Sequence, residues 1–422
     1  MSADKIDPNQ FINGFKVTVG WLLNSLRKND KTFIHSHGNR AVKGVTAKDV
    51  SEGKGFASEI LRCTVSFVDS IDASDVYTTI LKIPVLRANR IDNESPLSGY
   101  GIEASESLRK AHIFECDFYS SLAPLLSIPL PTAHFVIRDS SDSQASCIHM
   151  EDLTLKGKTL SYFDSVNLTQ VKNFIRVLAK MHKNILTADP KQWQKKFFFN
   201  EGSMKAVLGM LEPMIPPFLK MSKREEAFKP FLEKYQKFIT NTDYYIYAYT
   251  KAYKDLDLSP VLVHGDMHSG NVMWATNKDG DIETNIAAIV DWQTPYEGSP
   301  MADLARFLVM AADGVVRRQA EEFAIDFYYE CLIKEFEGDA RKVPYTAEKL
   351  QKAYNLAFLT QVFFMTGMVV FLYDSLDKQQ PNKAIKNAFV DAAVLKALHG
   401  IEDLDRLLQG EMKEEIYEKY CI

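Results

Sequence analysis

The stretch from Val261 to Trp292, VLVHGDMHSGNVMWATNKDGDIETNIAAIVDW, constrains this chain more than any other. An apolar run, Val261 to Val263, delivers the polar cluster His264-Gly265-Asp266-Met267-His268-Ser269-Gly270-Asn271, and a second run, Ile286 to Val290, delivers Asp291. Between them Asn277-Lys278-Asp279-Gly280 is turn chemistry, because Asn, Asp and Gly tolerate positive φ. The pattern predicts a hairpin that brings Asn271 and Asp291 to neighbouring strand ends although 20 positions separate them. A carboxamide and a carboxylate placed together offer the hard oxygen ligands that Mg²⁺ takes. Asp266, five positions before Asn271 on the connecting loop, is then placed to face a substrate hydroxyl. A lone His-Gly-Asp would fit a polar loop whose side chains only cap turns. The second His, the Asn and the later Asp together ask for chemistry.

Protein-kinase catalytic loops use the same Asp-x₄-Asn spacing followed by a metal-binding Asp. The whole stretch resembles the kinase-like small-molecule phosphotransferases: aminoglycoside phosphotransferases, choline kinases and the ecdysteroid-kinase-like group often called CHK-kinase-like. Their signature, His-Gly-Asp-x-His-x-x-Asn followed by a hydrophobic-Asp pair, is complete here. The resemblance covers residues 40–310 and implies an α+β, two-lobed protein-kinase-like fold. Residues 1–150 would form a small antiparallel-sheet lobe with an N-terminal helix, the nucleotide-binding sheet and a Glu-bearing helix. Residues 151–422 would form a large, mainly helical lobe with the catalytic loop, the metal site and the acceptor pocket.

Length agrees with this division, since 422 residues exceed one ordinary domain. The net charge of −5 leaves no electrostatic footprint for nucleic acid. Five dispersed cysteines without Cys-x-x-Cys or Cys/His ligand spacing fit reduced thiols, and the polar N-terminus MSADKIDPNQ has no apolar signal segment. A cytoplasmic protein is expected. Leu356 to Tyr373, LAFLTQVFFMTGMVVFLY, approaches the length of a membrane span. Thr360, Gln361, Thr366 and Gly367 interrupt it, so a hydrophobic helix through the core of a helical lobe is expected instead of membrane contact.

Taken in order, Phe11 to Leu26 carries apolar residues at helical spacing and predicts an amphipathic helix on the outside of the first lobe. From Val42 to Ile83 the pattern changes to short strands, with Ser51-Glu52-Gly53-Lys54-Gly55-Phe56-Ala57-Ser58 at a hairpin tip. Glycines there let backbone N–H groups approach phosphate oxygens. Gly53, Gly55 and Ser58 look like the phosphate loop of the CHK-like group, whereas Lys54 reads as a solvated turn charge. Thr78 to Pro84 is a strand with one Lys inside it, and a strand Lys ordinarily snorkels from an edge. The resemblance makes Lys82 the residue that grips the α/β-phosphates, with a Glu on the next helix as its partner. Leu108 to Leu122 offers Glu115 in the text FECDFY; Glu106 competes, and Asp117 should be solvated. After two strands around residues 133–150, Met150-Glu151-Asp152-Leu153 resembles the segment whose backbone binds the adenine edge. Met150 and Glu151 are the candidates, while Asp152 equally suits a turn cap.

Leu168 to Leu186 resembles the helix supporting the catalytic loop, with His182 read as structural. Pro213, Pro216 and Pro217 should break the helices of residues 190–258, and the aromatic run Tyr244 to Tyr249 suits either an acceptor pocket or core packing. After Asp291, Trp292 and Gln293 stand where protein kinases carry Phe and Gly, and no Ala-Pro-Glu segment follows, which argues for a small-molecule enzyme. Ser299 with Pro300 should start a helix, and Asp303 near that start suits the helix dipole. By resemblance Asp303 also braces the catalytic loop. ATP and Mg²⁺ are the implied cofactors and a small-molecule hydroxyl the implied acceptor. Asp266 would orient that hydroxyl, Asn271 and Asp291 would hold the metal, and His264 and His268 would organise the loop or touch phosphate. Two alternatives remain: a choline or ethanolamine kinase, and a pseudokinase that binds nucleotide without turnover.

Overall fold

The computed structural model describes residues 4–51, 57–92, 101–141 and 143–422. The chain forms two compact units: Met1–Ala123 with Leu130–Leu155, and Pro124–Pro129 with Lys156–Ile422. The first carries an antiparallel sheet and the second is mainly helical, so the expected α+β division into a small sheet-bearing part and a large helical part is the one adopted.

The first unit is built on β1 (Val42–Asp49), β2 (Ser58–Phe67), β3 (Val76–Pro84), β4 (Ala133–Ile137) and β5 (Cys147–Glu151), ordered β1-β2-β3-β5-β4. Alternation along β2 buries Leu61, Cys63, Val65 and Phe67 in one core with Leu81 and Ile83 of β3. The expected helix over Phe11 to Leu26 instead starts at Val19 and runs to Asn29. Asn13 and Gly14 take positive φ (48° and 77°), Phe11 and Phe15 make isolated bridges to Thr18 and Arg90, and Thr18 caps the helix by accepting from the N–H of Trp21. Local turn chemistry thus overrides apolar spacing in the first half. Leu22, Leu23 and Leu26 belong to the core beneath the sheet, so this helix is part of the core packing rather than an external attachment. The next long helix, Gly101–Asp117, continues through a π-helical turn at Phe118–Leu122.

In the second unit β7 (Val261–Val263) pairs with β10 (Tyr296–Gly298), and β6 (Gly157–Thr159), β8 (Val272–Thr276) and β9 (Ile282–Ile289) form a three-stranded sheet. The hairpin expected between Asn271 and Asp291 is β8–β9, with Val272 opposite Ile289 and a turn closed by Asn277 N–H on the Asp281 carbonyl (3.0 Å). The helix Leu168–Thr187 begins with a reciprocal capping box between Asn167 and Gln170, a device worth about 1 kcal/mol.

Three details depart from expectation. The prolines do not break the helix Glu201–Ser222 but lie inside it. Pro213, Pro216 and Pro217 all sit on its exposed face, where water can take the carbonyls they leave without a donor. Ser299 is not the N-cap: the helix is Ala302–Ala311, and Ser299 closes the preceding turn by accepting from the N–H of Met301 (3.3 Å). The apolar stretch is two helices, Ala347–Gln361 and Phe364–Gln379, bent by 45° at Val362–Phe363. Among the described residues no single helix is long and apolar enough to cross a membrane; by length and composition only this bent pair approaches it.

Candidate functional site

The loop after β7 is fixed from both sides. Gly265 turns at φ +86°, a conformation that L side chains rarely adopt. Asp303, on the helix Ala302–Ala311, is buried and accepts the backbone N–H of His264 (2.7 Å) and of Gly265 (3.1 Å). Burial pushes its carboxyl up, against the opposing pull of His264 and the two N–H donors. His264 is also buried. Its Nε2 donates to the Val290 carbonyl (2.9 Å) and its Nδ1 accepts the N–H of Asp266 (3.2 Å). Both ring nitrogens are therefore bonded to the backbone, so His264 ties the loop to the hairpin. Trp292 packs edge-on against the same ring at 4.5 Å and donates to the Ile289 carbonyl.

His268 accepts the N–H of Gly270 through Nδ1 (3.0 Å), which closes the short turn Ser269–Asn271. Its Nε2 lies 3.6 Å from Oδ2 of Asp266. Asp266 Oδ1 receives two donors from Arg306, Nε at 3.1 Å and Nη2 at 2.5 Å. Burial opposes the charge on Asp266, but Arg306 and His268 outweigh it and hold the carboxyl far below the ordinary carboxylate range. The carboxylate is thus ionised at neutral pH by its neighbours, and its side chain keeps 26% exposure. Arg306 was not singled out from the sequence. The available signal was its place one helical turn after Asp303, which sets both side chains on one face.

Asn271 donates through Nδ2 to the Asp266 carbonyl (2.8 Å) and toward Oδ2 of the same residue (3.4 Å). That turns its carbonyl oxygen to the opposite side of the amide. Its backbone carbonyl accepts the N–H of Val290 (3.0 Å), so Asp291 follows directly across the ladder. Asp291 itself sits at φ +67°, a conformation costing a non-glycine residue of order 1 kcal/mol or more and tolerated where surroundings impose it. One amide oxygen and one carboxylate, both on a hairpin braced from below, fit a hard divalent cation such as Mg²⁺.

In the first unit Lys82 on β3 pairs with Glu115 on the helix Gly101–Asp117 at 2.7 Å, with side-chain exposures of only 8% and 2%. The competing Glu106 is exposed and pairs with Arg109 at 3.2 Å, and Asp117 pairs with Arg138 at the surface. Ser58 is buried as the first residue of β2, opposite Pro84. Gly53 and Gly55, with Lys54, lie outside the described residues. Met150 and Glu151 end β5, but the Glu151 N–H donates to the Thr132 carbonyl (2.8 Å) and the Met150 carbonyl accepts from the Thr79 hydroxyl (2.9 Å). Those two backbone groups are bonded within the sheet. Asp152 has the turn-cap role: Oδ1 accepts from the N–H and hydroxyl of Thr154 (2.9 and 2.7 Å), and Oδ2 accepts from Arg62 (2.7 Å). His182 is structural, paired with the Tyr328 hydroxyl at 2.8 Å.

A separate group in the first unit, Asp30, His134 and His149, has its ligand atoms within 4.8 Å of one another. Hydrogen bonding accounts for it. His149 lies between the hydroxyls of Ser25 (2.8 Å) and Thr79 (2.9 Å), and Asp30 caps a helix at Phe33 while accepting from Tyr77 (2.5 Å).

Comparison with solved structures finds likenesses spread along most of the chain. A choline kinase from Cryptosporidium parvum Iowa II is 11% identical, with a TM-score of 0.49 over 93% of this chain and 97% of that one. The GDP complex of wild-type aminoglycoside 2'-phosphotransferase-IIIa is 12% identical, with a TM-score of 0.41 over 89% and 97%. Such scores and identities transfer no activity. Among curated proteins, "Uncharacterized oxidoreductase dhs-27" of Caenorhabditis elegans is 23% identical over 362 residues, 84% of this chain. The chain spans only 42% of that relative's length. The model of the family DUF1679, described as "Uncharacterized oxidoreductase dhs-27", matches residues 40–411, and the chain belongs to that family.

Proposed function

We propose that the chain is an ATP- and Mg²⁺-dependent phosphotransferase acting on a hydroxyl of a small molecule, of the CHK-kinase-like group. Metabolite, sterol and glycoside-type acceptors all suit the reading. The observation that carries it is the hairpin geometry: Asp266 is hydrogen-bonded to Asn271, which is bonded across the ladder to Val290, the residue before Asp291. Residues 1–150 supply the nucleotide-binding half of the function and residues 151–422 the transfer half.

In this reading Lys82, held by Glu115, positions the α/β-phosphates, with Ser58 and the glycines 53 and 55 near the phosphate chain. Met150 and Glu151 stay on the adenine side, through groups other than the two spent in the sheet. Asn271 and Asp291 would hold Mg²⁺, which would supply charge neutralisation to the phosphate chain. Asp266 orients the acceptor hydroxyl. As the acceptor oxygen bonds to the γ-phosphorus, the bridging P–O bond to the β-phosphate breaks, ADP leaves and the acceptor proton passes late to Asp266. The part asked of Asp266 is positioning, which supplies most of the rate in a loose transition state.

The word oxidoreductase in the family's description repeats the name of a relative more than half of whose length lies outside the match. Oxygen donors on a braced hairpin and a buried Lys–Glu pair support phosphoryl chemistry in the matched part. A choline or ethanolamine kinase is the second reading, because Phe199, Tyr249 and Tyr296 pack ring to ring in the second unit. Arg306, joined to Tyr249 through Gln361, places a cation beside those rings and disfavours an ammonium acceptor. A pseudokinase would bind ATP and never turn it over. Calorimetric titration with ATP, with and without Mg²⁺, tests the nucleotide site. Mg²⁺-dependent binding that disappears in Asp291→Ala is expected, and a wild type that binds no nucleotide would refute the reading.

A further inference from the structure

We infer that Arg306 is the positioning residue of this site: it locks Oδ1 of Asp266 and thereby leaves Oδ2 as the single oxygen presented to the acceptor hydroxyl. Gln361 and Tyr249 hold it in place. The inference rests on the phosphotransfer reading and adds to it the part of the machinery outside the signature.

One helix face grips three consecutive loop residues. Asp303 takes the N–H groups of His264 and Gly265, and Arg306, three residues on, takes the side chain of Asp266. A carboxylate on its own rotates through a broad two-fold torsion, exchanging its oxygens. Here two guanidinium nitrogens converge on Oδ1, at 3.1 and 2.5 Å, while Oδ2 has only looser neighbours, Asn271 Nδ2 at 3.4 Å and His268 Nε2 at 3.6 Å. A hydroxyl arriving at Oδ2 therefore meets a fixed acceptor on the same side of the residue as the amide of Asn271.

The guanidinium is fixed in turn. Its Nη1 donates to Oε1 of Gln361 (2.8 Å), a residue only 2% exposed. The Gln361 amide can present its oxygen in only one direction, because its Nε2 is spent on the hydroxyls of Tyr249 (2.8 Å) and Thr360 (2.8 Å). Thr360 donates onward to the Ala357 carbonyl (2.6 Å). Tyr249 stacks on Phe199 with ring centroids 4.5 Å apart, and the Phe364 ring faces the guanidinium at 6.0 Å. Thr360 and Gln361 are thus the polar interruption of the apolar stretch that begins at Leu356, placed at the end of a helix just before its 45° bend. Their presence in an otherwise apolar segment is explained by the arginine they hold. Lysine could not replace it, since one ammonium does not reach Asp266 and Gln361 with a planar fork.

The test uses Mg·ATP hydrolysis, with water as acceptor, beside thermal unfolding at one pH. Arg306→Gln should lower kcat about 10²-fold while KM for Mg·ATP stays within about 3-fold. Arg306→Lys should recover only part of the loss, and Gln361→Glu, which keeps an acceptor for Arg306 but surrenders the donors to Tyr249 and Thr360, should fall between Lys and wild type. Independently of activity, Asp266→Asn and Arg306→Gln should be non-additive in a double-mutant cycle on Tm. Wild-type kcat in Arg306→Gln, or an additive cycle, overturns the inference. A non-additive cycle in a wild type that transfers phosphate neither to water nor to any hydroxyl in a metabolite extract would retain the ion pair, but would overturn its presenting role and the phosphotransfer reading with it.

Discussion

Two ion pairs lie at the heart of the two units, and they are built differently. Lys82 and Glu115 are almost wholly buried, and their meeting is set by a strand residue facing a helix residue. Asp266 and Arg306 keep 26% and 19% exposure and sit inside a lattice of hydrogen bonds reaching Gln361, Tyr249 and the loop backbone. The second unit adds a third solution in Lys396, a buried cation held by the carbonyls of Tyr162 (2.9 Å), Asp164 (3.4 Å) and Met310 (3.2 Å). The lesson is that a buried charge by itself does not mark a site. The proposed function rests instead on a partly exposed carboxylate whose oxygens are treated unequally, Oδ2 of Asp266 having the looser neighbours.

The comparison can be broken most sharply at Asp266. Asp266→Asn should lower phosphate transfer by about 10³-fold while leaving Mg·ATP affinity nearly unchanged, measured by steady-state kinetics and calorimetry. Loss of nucleotide binding instead would make Asp266 a ligand-holding residue and erase the distinction between the pairs. Next in size is the first-unit pair. Lys82→Met strands the Glu115 carboxylate in the core and should cost roughly 3–5 kcal/mol in denaturant unfolding, with Lys82→Met/Glu115→Gln recovering much of it. Equal losses in single and double variants would show that packing, not charge, governs that position.

How legible was this in the sequence? The hairpin and the order of Asp266, Asn271 and Asp291 follow from local patterns, turn residues between apolar runs, whereas the pair Lys82–Glu115 is what the family resemblance implies, since a strand Lys by itself reads as an edge residue. Arg306 and Gln361 did not emerge because their meaning is a contact 40 and 95 positions from Asp266, created by helix packing. The first turn of Phe11 to Leu26 was misread because Asn13 and Gly14 accept positive φ where apolar spacing alone suggests a helix. The prolines were misread for the opposite reason, since their exposed placement lets water take the carbonyls they leave behind. At the adenine-side segment, ladder and side-chain bonds in the sheet engage the Glu151 N–H and the Met150 carbonyl, a pairing set by the tertiary fold rather than by local sequence.

A smaller effect separates the loop's braces. Asp303→Ala leaves two buried N–H groups without an acceptor and should cost roughly 2–3 kcal/mol of stability, together with a fall in kcat as the loop relaxes. A stability loss with unchanged kcat would reduce Asp303 to a structural cap.

The smallest effect concerns Lys396, which burial lowers to about 8. Unfolded lysine titrates near ~10.4, so between these values the unfolded chain binds the extra proton and wild-type stability rises with pH. Relative to Lys396→Met, wild type should therefore gain stability on going from pH 7.5 to 9.5, read as the difference in denaturant midpoints. A constant difference would mean that the three carbonyls compensate the cation fully.

The most direct test of phosphoryl transfer at Asp266 is to incubate wild type and Asp266→Asn with labelled ATP, Mg²⁺ and a small-metabolite extract, and to follow the label by mass spectrometry. A phosphorylated product formed by wild type and absent with Asp266→Asn is the predicted result, and its mass would identify the acceptor. The same product from both proteins, or none from a wild type that does bind Mg·ATP, would contradict catalysis at this carboxylate.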